Sequence, residues 1–341
     1  MNILVVGPSW VGDMVMSQSL LLRLKQDNPN CQIDVLAPDW CRPVLARMPQ
    51  VHKAIAMPVG HGALQWSVRK KVAAQLTANN YQQSIILPNS LKSALVPWMA
   101  KIPRRIGWRG EMRYGLLNDM RRLDPQAFPL MVQRYIALAE PTKQSATQLK
   151  ALIKPTLQID RDQQLAMIEK YALASEGAIA FCPGAEFGPA KRWPHYHFAT
   201  LASSLIAVGK QVVCLGSAKD TAAIMQIKDL LSEAEQRSFV DLSGRTDLTQ
   251  AIDILDQCAA IVSNDSGLMH IGAAVNTPML ALYGPTSPDF TPPLSDSAEV
   301  IRLIEGYLKL RRTNTEQGYH QSMIDIQPQR VFDRLQQMVA N

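Results

Sequence analysis

The chain has 341 residues, of which 47% are hydrophobic and 19% are charged, a composition typical of a globular protein large enough for two domains. No apolar run approaches the ~18–20 residues of a membrane-spanning helix. The first residues have the pattern of a strand rather than of a signal peptide, and the five scattered cysteines form no CxxC pair. We therefore expect a cytoplasmic protein without a transmembrane segment or a zinc site.

Charge is distributed unevenly along the chain. Residues 1–170 contain 22 Lys and Arg against 11 Asp and Glu, a net charge of +11, whereas residues 171–341 contain 13 against 18, a net charge of −5. A basic half indicates an anionic partner, which could be nucleic acid, an anionic membrane surface or an acidic glycolipid. No sequence signature of a nucleic-acid-binding module accompanies the charge, so we do not expect nucleic acid.

Strand-like and helix-like segments alternate in chain order. In the first half, strands are predicted at residues 3–7, 32–37, 53–57, 84–87 and 106–107, and helices at 15–26, 41–48, 64–79, 91–100 and 133–139. After a helix at 163–171, the second half has predicted strands at 178–182, 211–215, 239–241, 259–263 and 279–282. Its predicted helices are at 197–208, 219–231, 248–257 and 328–338, with another that opens after residue 265.

This alternation indicates βαβ units and parallel sheets covered by helices on both faces. Because it occurs once in each half, we expect an α/β protein with two doubly wound, Rossmann-like domains facing a central cleft. The N-terminal domain is predicted at residues 1–160 and the C-terminal domain at 161–341, the latter ending in a closing helix. Ligands of such sheets bind beyond the carboxyl ends of the strands.

The most informative motif is the run from Val262 to Ala274, where an apolar strand meets a helix that opens at Ser266 and Gly267. A helix start presents unpaired N–H groups and the positive end of the helix dipole, so this point suits a diphosphate. Asp265 and His270 are expected at its mouth.

A second motif follows the first strand. Gly7 and Gly12 have the spacing of a phosphate-binding P-loop, but Asp13 stands where the lysine belongs, and the loop is not GxGxxG either. Asp13 is either a helix cap or a general base. The loop alone favours the cap, and a diphosphate site opposite it favours the base.

Other residues at predicted strand ends are weaker candidates. Lys191 can neutralise a leaving phosphate as a point charge, and Arg192 is equally compatible with a surface ion pair. Leu242, Gly244 and Thr246 lie in a loop that suits a base edge or ribose, although Thr246 as a helix N-cap explains much of it. The basic residues that suit carboxylates or phosphates of a second substrate are Arg69, Lys70, Lys92, Arg105 and Arg109.

Five motifs in this order resemble the ADP-heptose:lipopolysaccharide heptosyltransferases of Gram-negative bacteria. They are the Gly-Asp pair at 12–13, Lys-Arg-Trp-Pro at 191–194, Leu-x-Gly-x-Thr at 242–246, Asn-Asp-Ser-Gly-Leu-Met-His at 264–270 and Gly-Pro-Thr at 284–286. The likeness covers nearly the whole chain. In detail it resembles most the heptosyltransferase II branch, which adds the second heptose of the inner core.

The resemblance implies a GT-B fold and an inverting glycosyltransferase that uses ADP-L-glycero-β-D-manno-heptose. The C-terminal domain would bind the ADP-sugar, with Lys191 on the phosphates, Asp265 on the sugar hydroxyls, and Ser266, Gly267 and His270 at the helix start. The N-terminal domain would bind the heptosyl-Kdo2-lipid A acceptor, with Asp13 as the base. No cofactor or metal is expected to be obligatory, and the enzyme would contact the cytoplasmic face of the anionic inner membrane peripherally.

One stretch departs from the family pattern. Relatives have hydroxyl residues just before the lysine, whereas this chain has Glu186-Phe187-Gly188-Pro189-Ala190, so Thr286 or Ser287 would have to replace those contacts. Two alternatives stay open from the sequence. One is a heptosyltransferase acting on the Kdo acceptor, and the other is a non-catalytic nucleotide- or glycolipid-binding protein on the same fold.

Overall fold

The computed structural model describes residues 1–60, 62–140, 151–174, 177–186, 188–306 and 313–340. The chain divides into two compact units, Met1–Pro155 and Thr156–Asn341. This division falls within the polar, proline-containing stretch around residues 140–162, a few residues before the boundary expected after residue 160. The polar run at 142–145 lies outside the described residues.

The N-terminal unit contains a six-stranded parallel sheet in the order β3-β2-β1-β4-β5-β6. Its strands are β1 (Asn2–Val6), β2 (Gln32–Ala37), β3 (Lys53–Ala56), β4 (Gln83–Ile86), β5 (Arg104–Trp108) and β6 (Asp119–Arg121). Its helices are α1 (Val11–Asp27), α2 (Arg42–Leu45), α3 (Trp66–Leu76), α4 (Leu91–Met99) and α5 (Met131–Ile136). The central strands are continuous apolar runs because helices cover both faces of a parallel sheet.

The C-terminal unit contains a second six-stranded parallel sheet in the order β12-β11-β10-β7-β8-β9. Its strands are β7 (Ile179–Cys182), β8 (Val212–Cys214), β9 (Phe239–Asp241), β10 (Ala260–Asn264), β11 (Met279–Tyr283) and β12 (Ala298–Arg302). Its helices are α6 (Arg161–Tyr171), α7 (His195–Ala207), α8 (Thr221–Asp229), α9 (Glu233–Gln236), α10 (Leu248–Gln257), α11 (Gly267–Ala274), α12 (Gln321–Ile324) and α13 (Pro328–Ala340).

Both sheets have the same doubly wound strand order, which reverses direction between the first and fourth strands of each unit. These reversal points lie between β1 and β4 in one unit and between β7 and β10 in the other. Loops after neighbouring strands diverge there and leave a crevice at the carboxyl edge of the sheet. The α/β class and the two doubly wound units are confirmed.

The predicted elements omit β6 and β12, one edge strand of each sheet, whereas the other two edge strands, β3 and β9, were predicted. The short β6 has no apolar run, and its Asp119 side chain is held by Arg104 at 2.7 Å and Arg121 at 3.1 Å. Each of the two mixes charged and apolar residues, so neither carries the apolar run that predicts a strand. The described residues include no helix long and apolar enough to span a bilayer.

Candidate active site

A cavity of about 470 Å³ lies at the carboxyl edge of the N-terminal sheet, at the point where the strand order reverses. Its walls come from the loops after β1, β2, β3 and β4, together with residues of α5. The polar and charged side chains that line it are Ser9, Asp13, Arg69, Asn89, Ser90, Lys92, Ser93, Glu111 and Tyr135.

Asp13 lies in the first turn of α1, where its carboxylate is near the positive end of the helix dipole. The N-cap residue of this helix is Trp10, so the interpretation of Asp13 as the N-cap is wrong. The buried Tyr135 hydroxyl is hydrogen-bonded to the Asp13 carboxylate. Burial, reinforced by the Asp13 charge, raises the pKa of Tyr135 well above its ordinary value, and the phenol therefore stays protonated and donates.

Two of the five basic residues predicted to bind an acceptor line this cavity, Arg69 and Lys92. Arg69 is only 7% exposed, and its guanidinium donates to the carbonyls of Leu64 at 2.5 Å, Lys92 at 3.0 Å and Ala63 at 3.1 Å. Burial lowers the pKa of Arg69. Arg69 thus ties the loop before α3 to the start of α4 and places a positive charge beside the cavity.

The other three lie elsewhere. Lys70 is exposed on α3, and Arg109 is exposed just beyond β5, but neither lines the cavity. Arg105 sits near the amino end of β5, where its guanidinium donates to the carbonyls of Leu116 and Ile102, both at 2.6 Å. The expectation that Arg105 joins the acceptor site is not supported, because Asp13 lies at the opposite edge of the sheet.

The basic cluster at residues 101–122 is only partly exposed: Lys101, Arg104, Arg109 and Arg122 face solvent, whereas Arg113 is buried. Arg113 is fully buried and donates to the carbonyls of Pro88 at 2.7 Å and of Trp108, and burial lowers its pKa to about 10. Asp119 holds Arg104 and Arg121. The net charge of this half therefore overstates the charge of its surface.

In the C-terminal unit, Lys191 and Asp265 meet at the second reversal point. Lys191 ends a short turn after β7, Asp265 follows β10, and the Lys191 Nζ atom lies 2.7 Å from Asp265 Oδ2. The side chain of Asp265 is 6% exposed and that of Lys191 is 24% exposed. The sequence analysis proposed both residues for the site, and the structure brings them into direct contact.

Asn264 fixes this arrangement. Its amide nitrogen donates to the Pro183 carbonyl at 2.7 Å, and its amide oxygen accepts from the Trp193 backbone N–H at 3.1 Å. The Trp193 ring is fully buried, and its Nε1 donates to the Ile326 carbonyl at 2.8 Å. One asparagine thus joins the end of β10 to both ends of the loop that carries Lys191.

The helix start predicted after β10 is present as α11. Ser266 is its N-cap residue and accepts a hydrogen bond from the Met269 N–H, and Gly267 is the first helical residue. His270 is buried in the first turn, and burial, with a smaller contribution from Lys191, lowers its pKa to about 4. His270 is therefore neutral at pH 7 and offers a hydrogen bond rather than a charge to an anion.

Two further candidates carry buried polar atoms that have no partner among the described residues, Arg192 Nε and Thr286 Oγ1. Orphaned buried groups are rare in folded proteins, and a water, an ion or a catalytic role can account for one. Ser287 instead donates to Asp289 at 2.9 Å, so its hydroxyl is used locally. Of the two proposed substitutes for the missing hydroxyl contacts, Thr286 is the better placed to bind a ligand.

The loop after β9 is shaped by backbone contacts. Gly244 has a positive φ of 65°, and a Cβ there would lie 3.0 Å from the Ala218 Cα atom, so glycine allows this close approach. Leu242 is fully buried, and its backbone N–H donates to the backbone carbonyl of Cys214. The N-cap of α10 is Asp247, so the interpretation of Thr246 as the cap is wrong.

Within the described part of the chain, no group of three or more His, Cys, Asp or Glu residues could hold a metal ion.

The profile of Glycosyltransferase family 9 (heptosyltransferase) matches residues 69–320 of the chain, which is well over half of it. The chain belongs to this family. A family 9 glycosyltransferase is an enzyme, so the alternative of a non-catalytic binding protein is not retained.

Individual family members match over the whole length. The chain is 55% identical to Lipopolysaccharide heptosyltransferase 2 of Salmonella typhimurium over 344 residues, covering 100% of this chain and 99% of that protein. It is 56% identical to the Escherichia coli protein of the same name over 339 residues, covering 98% and 97%. The solved structure of the E. coli ADP-heptose lipopolysaccharide heptosyltransferase II superposes with a TM-score of 0.90 at 53% identity, covering 100% and 99%. The resemblance deduced from the motifs and the GT-B fold are confirmed.

Two residues that organise the site were not predicted as functional residues: Asn264 and Tyr135. Asn264 stood inside the strongest motif, where its position at the end of an apolar strand was the available signal. Tyr135 carried no local signal, because its role depends on contacts with residues far away in the sequence.

Proposed function

We propose that this family 9 enzyme transfers a heptose from ADP-L-glycero-β-D-manno-heptose to the first heptose of the lipopolysaccharide inner core, with inversion at the anomeric carbon. The observation that carries the proposal is the chemistry at the two reversal points. One holds a carboxylate in a cavity, as a base requires, and the other holds a lysine beside a helix N-terminus, as a diphosphate leaving group requires. The name shared by the relatives at 55% and 56% identity supports the substrates.

On the donor side, Lys191 and Arg192 would stabilise the negative charge that grows on the diphosphate as the bond to the sugar breaks. The N–H groups at Ser266 and Gly267 add the positive end of the α11 dipole. Asp265 would accept hydrogen bonds from sugar hydroxyls, and its contact with Lys191 fixes the lysine in position. Loop residues Leu242, Gly244 and Thr246, with His270 and Thr286, complete the proposed donor site.

On the acceptor side, Asp13 would accept the proton of the attacking hydroxyl. The acceptor oxygen forms a bond to the anomeric carbon on one face while the bond to the ADP oxygen breaks on the other, and ADP leaves with the bonding electron pair. Arg69 and Lys92 would bind anionic groups of the acceptor at the cavity. Product analysis tests the stereochemistry: a β-configured donor gives an α-linked product by inversion, and a β-linked product would contradict a single displacement.

We propose that no cofactor or metal is obligatory, because the proposed charge stabilisation comes from Lys191, Arg192 and the α11 N-terminus. The rate in excess EDTA should stay within about twofold of the rate in Mg²⁺. Loss of activity in EDTA, restored by a divalent cation, would refute this assignment.

We also propose a cytoplasmic location with peripheral contact to the anionic inner-membrane face. Large apolar side chains are exposed on the loops and helix starts beyond β2, β3, β4 and β5 of the N-terminal unit. We call this set the apolar rim: Trp40, Leu64, Trp66, Leu91, Met112 and Tyr114. Exposed Lys70, Lys71 and Arg109 lie in the same segments. Apolar side chains next to cations are typical of surfaces that bind anionic lipid.

Hydrogen bonds show that much of the apolar rim is continuous. Arg69 donates to the carbonyls of both Leu64 and Lys92, which joins the segment before α3 to the start of α4. The Leu91 N–H donates to the Glu111 carboxylate at 2.8 Å, which joins α4 to the segment that carries Met112. This surface borders the cavity that contains Asp13, so it supports an acceptor that is itself anchored in a membrane.

A further inference from the structure

A buried tyrosine contacts the proposed base directly. Tyr135 is 5% exposed, its hydroxyl is hydrogen-bonded to the Asp13 carboxylate, and both side chains line the same cavity. A buried phenol requires a hydrogen-bond partner, and here the partner is the carboxylate proposed to take the acceptor proton.

The position of Tyr135 is set by packing that does not depend on Asp13. The helix α5 packs along α1, and its Val132 and Ile136 side chains are buried. The Trp108 Nε1 atom donates to the Arg134 carbonyl at 2.9 Å, which anchors the same helix to the end of β5. The helix that carries the tyrosine is therefore held in place by contacts other than the one with the Asp13 carboxylate.

We propose that Tyr135 is the positioning residue of Asp13, holding the carboxylate in the orientation that accepts the acceptor proton. The inference rests on the proposed function, in which Asp13 is the base. One hydrogen bond uses one of the roughly four acceptor sites of a carboxylate, so a tyrosine donor is compatible with a substrate hydroxyl on the same group. The protonated phenol donates to the carboxylate, which in its ionised form can only accept, and this hydrogen bond favours the ionised form of Asp13 that a base requires.

The chain provides a matched control. Tyr81 is also buried in the N-terminal unit, and its hydroxyl donates to the Asp34 carboxylate at 2.5 Å. Neither Tyr81 nor Asp34 lines the cavity. Tyr81→Phe therefore removes the same chemical group from the same kind of pair, away from the proposed base.

The experiment compares Tyr135→Phe with Tyr81→Phe by kcat, donor KM, melting temperature and the pH dependence of kcat. We expect Tyr135→Phe to lower kcat about 10- to 100-fold, less than removal of the acid–base group itself, with donor KM within about twofold. The acidic limb of its pH profile should move to higher pH, because a carboxylate that loses a donor is protonated more readily. The other charged groups lining the cavity, Arg69, Lys92 and Glu111, are the same in both variants.

Tyr81→Phe should lower the melting temperature at least as much while leaving kcat and its pH profile unchanged. A Tyr135→Phe enzyme with kcat within about twofold of the parent and an unshifted profile would overturn the proposal. So would a loss of kcat that Tyr81→Phe reproduces, since that would show a general effect of destabilisation.

A double-mutant cycle separates this inference from the proposed function. If Tyr135 acts through Asp13, Tyr135→Phe should have no further effect on the residual rate of Asp13→Asn. Full additivity of the two changes would overturn the positioning role. If Asp13→Asn alone keeps the parental rate, the proposed base itself is wrong, which is a different result from an inactive Tyr135→Phe.

Discussion

The two units of this enzyme have the same strand order but opposite chemistry at the same topological point. In the N-terminal unit, the loops after β1 and β4 enclose a cavity with Asp13, and in the C-terminal unit the loops after β7 and β10 bring Lys191 onto Asp265. The sequence of Met1–Pro155 carries a net charge of +12 and that of Thr156–Asn341 a net charge of −6. Topology thus fixes where side chains converge, and the residue types at that point decide what each unit can bind.

The surfaces differ in the same way. In the N-terminal unit, the apolar rim lies at the carboxyl edge of the sheet, around the cavity, and among the described residues Met1 and Trp98 are the exposed large apolar side chains outside it. Among the described residues of the C-terminal unit, such side chains are spread over or beside α6, α7, α8 and the edge strand β12. This contrast supports the proposed division, with an amphipathic acceptor in the N-terminal unit and a small polar donor in the C-terminal unit.

The largest effect is expected at the cavity of the N-terminal unit. Asp13→Ala should lower kcat by about 10²- to 10⁴-fold, the range for removal of a general base, while donor affinity stays within about threefold. Initial rates and calorimetric titration with the ADP-sugar measure the two quantities. Loss of donor binding in this variant would mean that Asp13 has a structural role. The proposed contrast, a base in the N-terminal unit and a diphosphate site in the C-terminal unit, would then be contradicted.

A somewhat smaller loss of activity is expected at the reversal point of the C-terminal unit. Lys191→Ala should lower kcat/KM for the donor about 10²- to 10³-fold, because it removes a charge aimed at the leaving diphosphate. It should also lower the melting temperature, since Asp265 would lose the cation that contacts it in a buried position. Lys219→Ala is the matched control, because Lys219 pairs with the exposed Glu186 in the same unit. Equal kinetics for the two variants would contradict the donor role of Lys191.

The apolar rim gives a third test. Replacing Trp66 and Met112 by Ser should weaken binding to vesicles that contain anionic phospholipid by about tenfold, because each side chain loses burial in the bilayer interface. Activity on a water-soluble, delipidated acceptor should stay unchanged. The control is Met225→Ser, an exposed methionine of the C-terminal unit. Vesicle sedimentation that does not distinguish these variants would exclude the rim as the lipid-binding surface.

The smallest expected effect is on the pH dependence of the free energy of unfolding. His270 has a pKa of about 4 in the folded protein and about 6.5 when unfolded, so the unfolded chain binds its proton first as the pH falls. The free energy of unfolding should therefore decrease as the pH falls from about 6.5 toward 4. Urea titrations at several pH values should show a shallower decrease for His270→Gln than for the parent chain. An equal slope would mean that His270 is not buried in its neutral form.

The parts of the fold that could be predicted from the sequence are those with a local signal. Apolar runs such as Ile3–Val6 and Ala260–Val262 are fully buried central strands, and each strand-to-helix turn after them was found. The edge strands β6 and β12 escaped because their composition is mixed, whereas the similarly exposed edge strand β3 was predicted from its apolar residues. The same limit applies to charge, since a count of arginines cannot distinguish the buried Arg113 from the exposed Arg109.

The residues of the candidate site show the same limit: those with a local signal in the sequence were predicted, and those without one were not. Lys191 and Asp265 were found because each follows an apolar strand, although their contact at 2.7 Å could not be deduced from two motifs 74 positions apart. Tyr135 was not found because its helix is short and its only distinguishing feature is a hydrogen bond to a residue more than 100 positions earlier. The position of a site residue at the end of a strand can thus be predicted from the sequence, whereas its hydrogen-bond and ion-pair partners depend on tertiary packing.

The most direct test of the proposed donor and acceptor is the rate of ADP release from ADP-heptose. It is measured with two acceptors, Kdo2-lipid A and the same molecule bearing one heptose. We predict release only with the mono-heptosylated acceptor, at a rate about 10²- to 10⁴-fold lower when Asp13 is replaced by Ala. Release with the bare Kdo acceptor at an equal or higher rate would contradict the second-heptose assignment and support the alternative acceptor. No release with either acceptor would contradict the proposed donor and acceptor together.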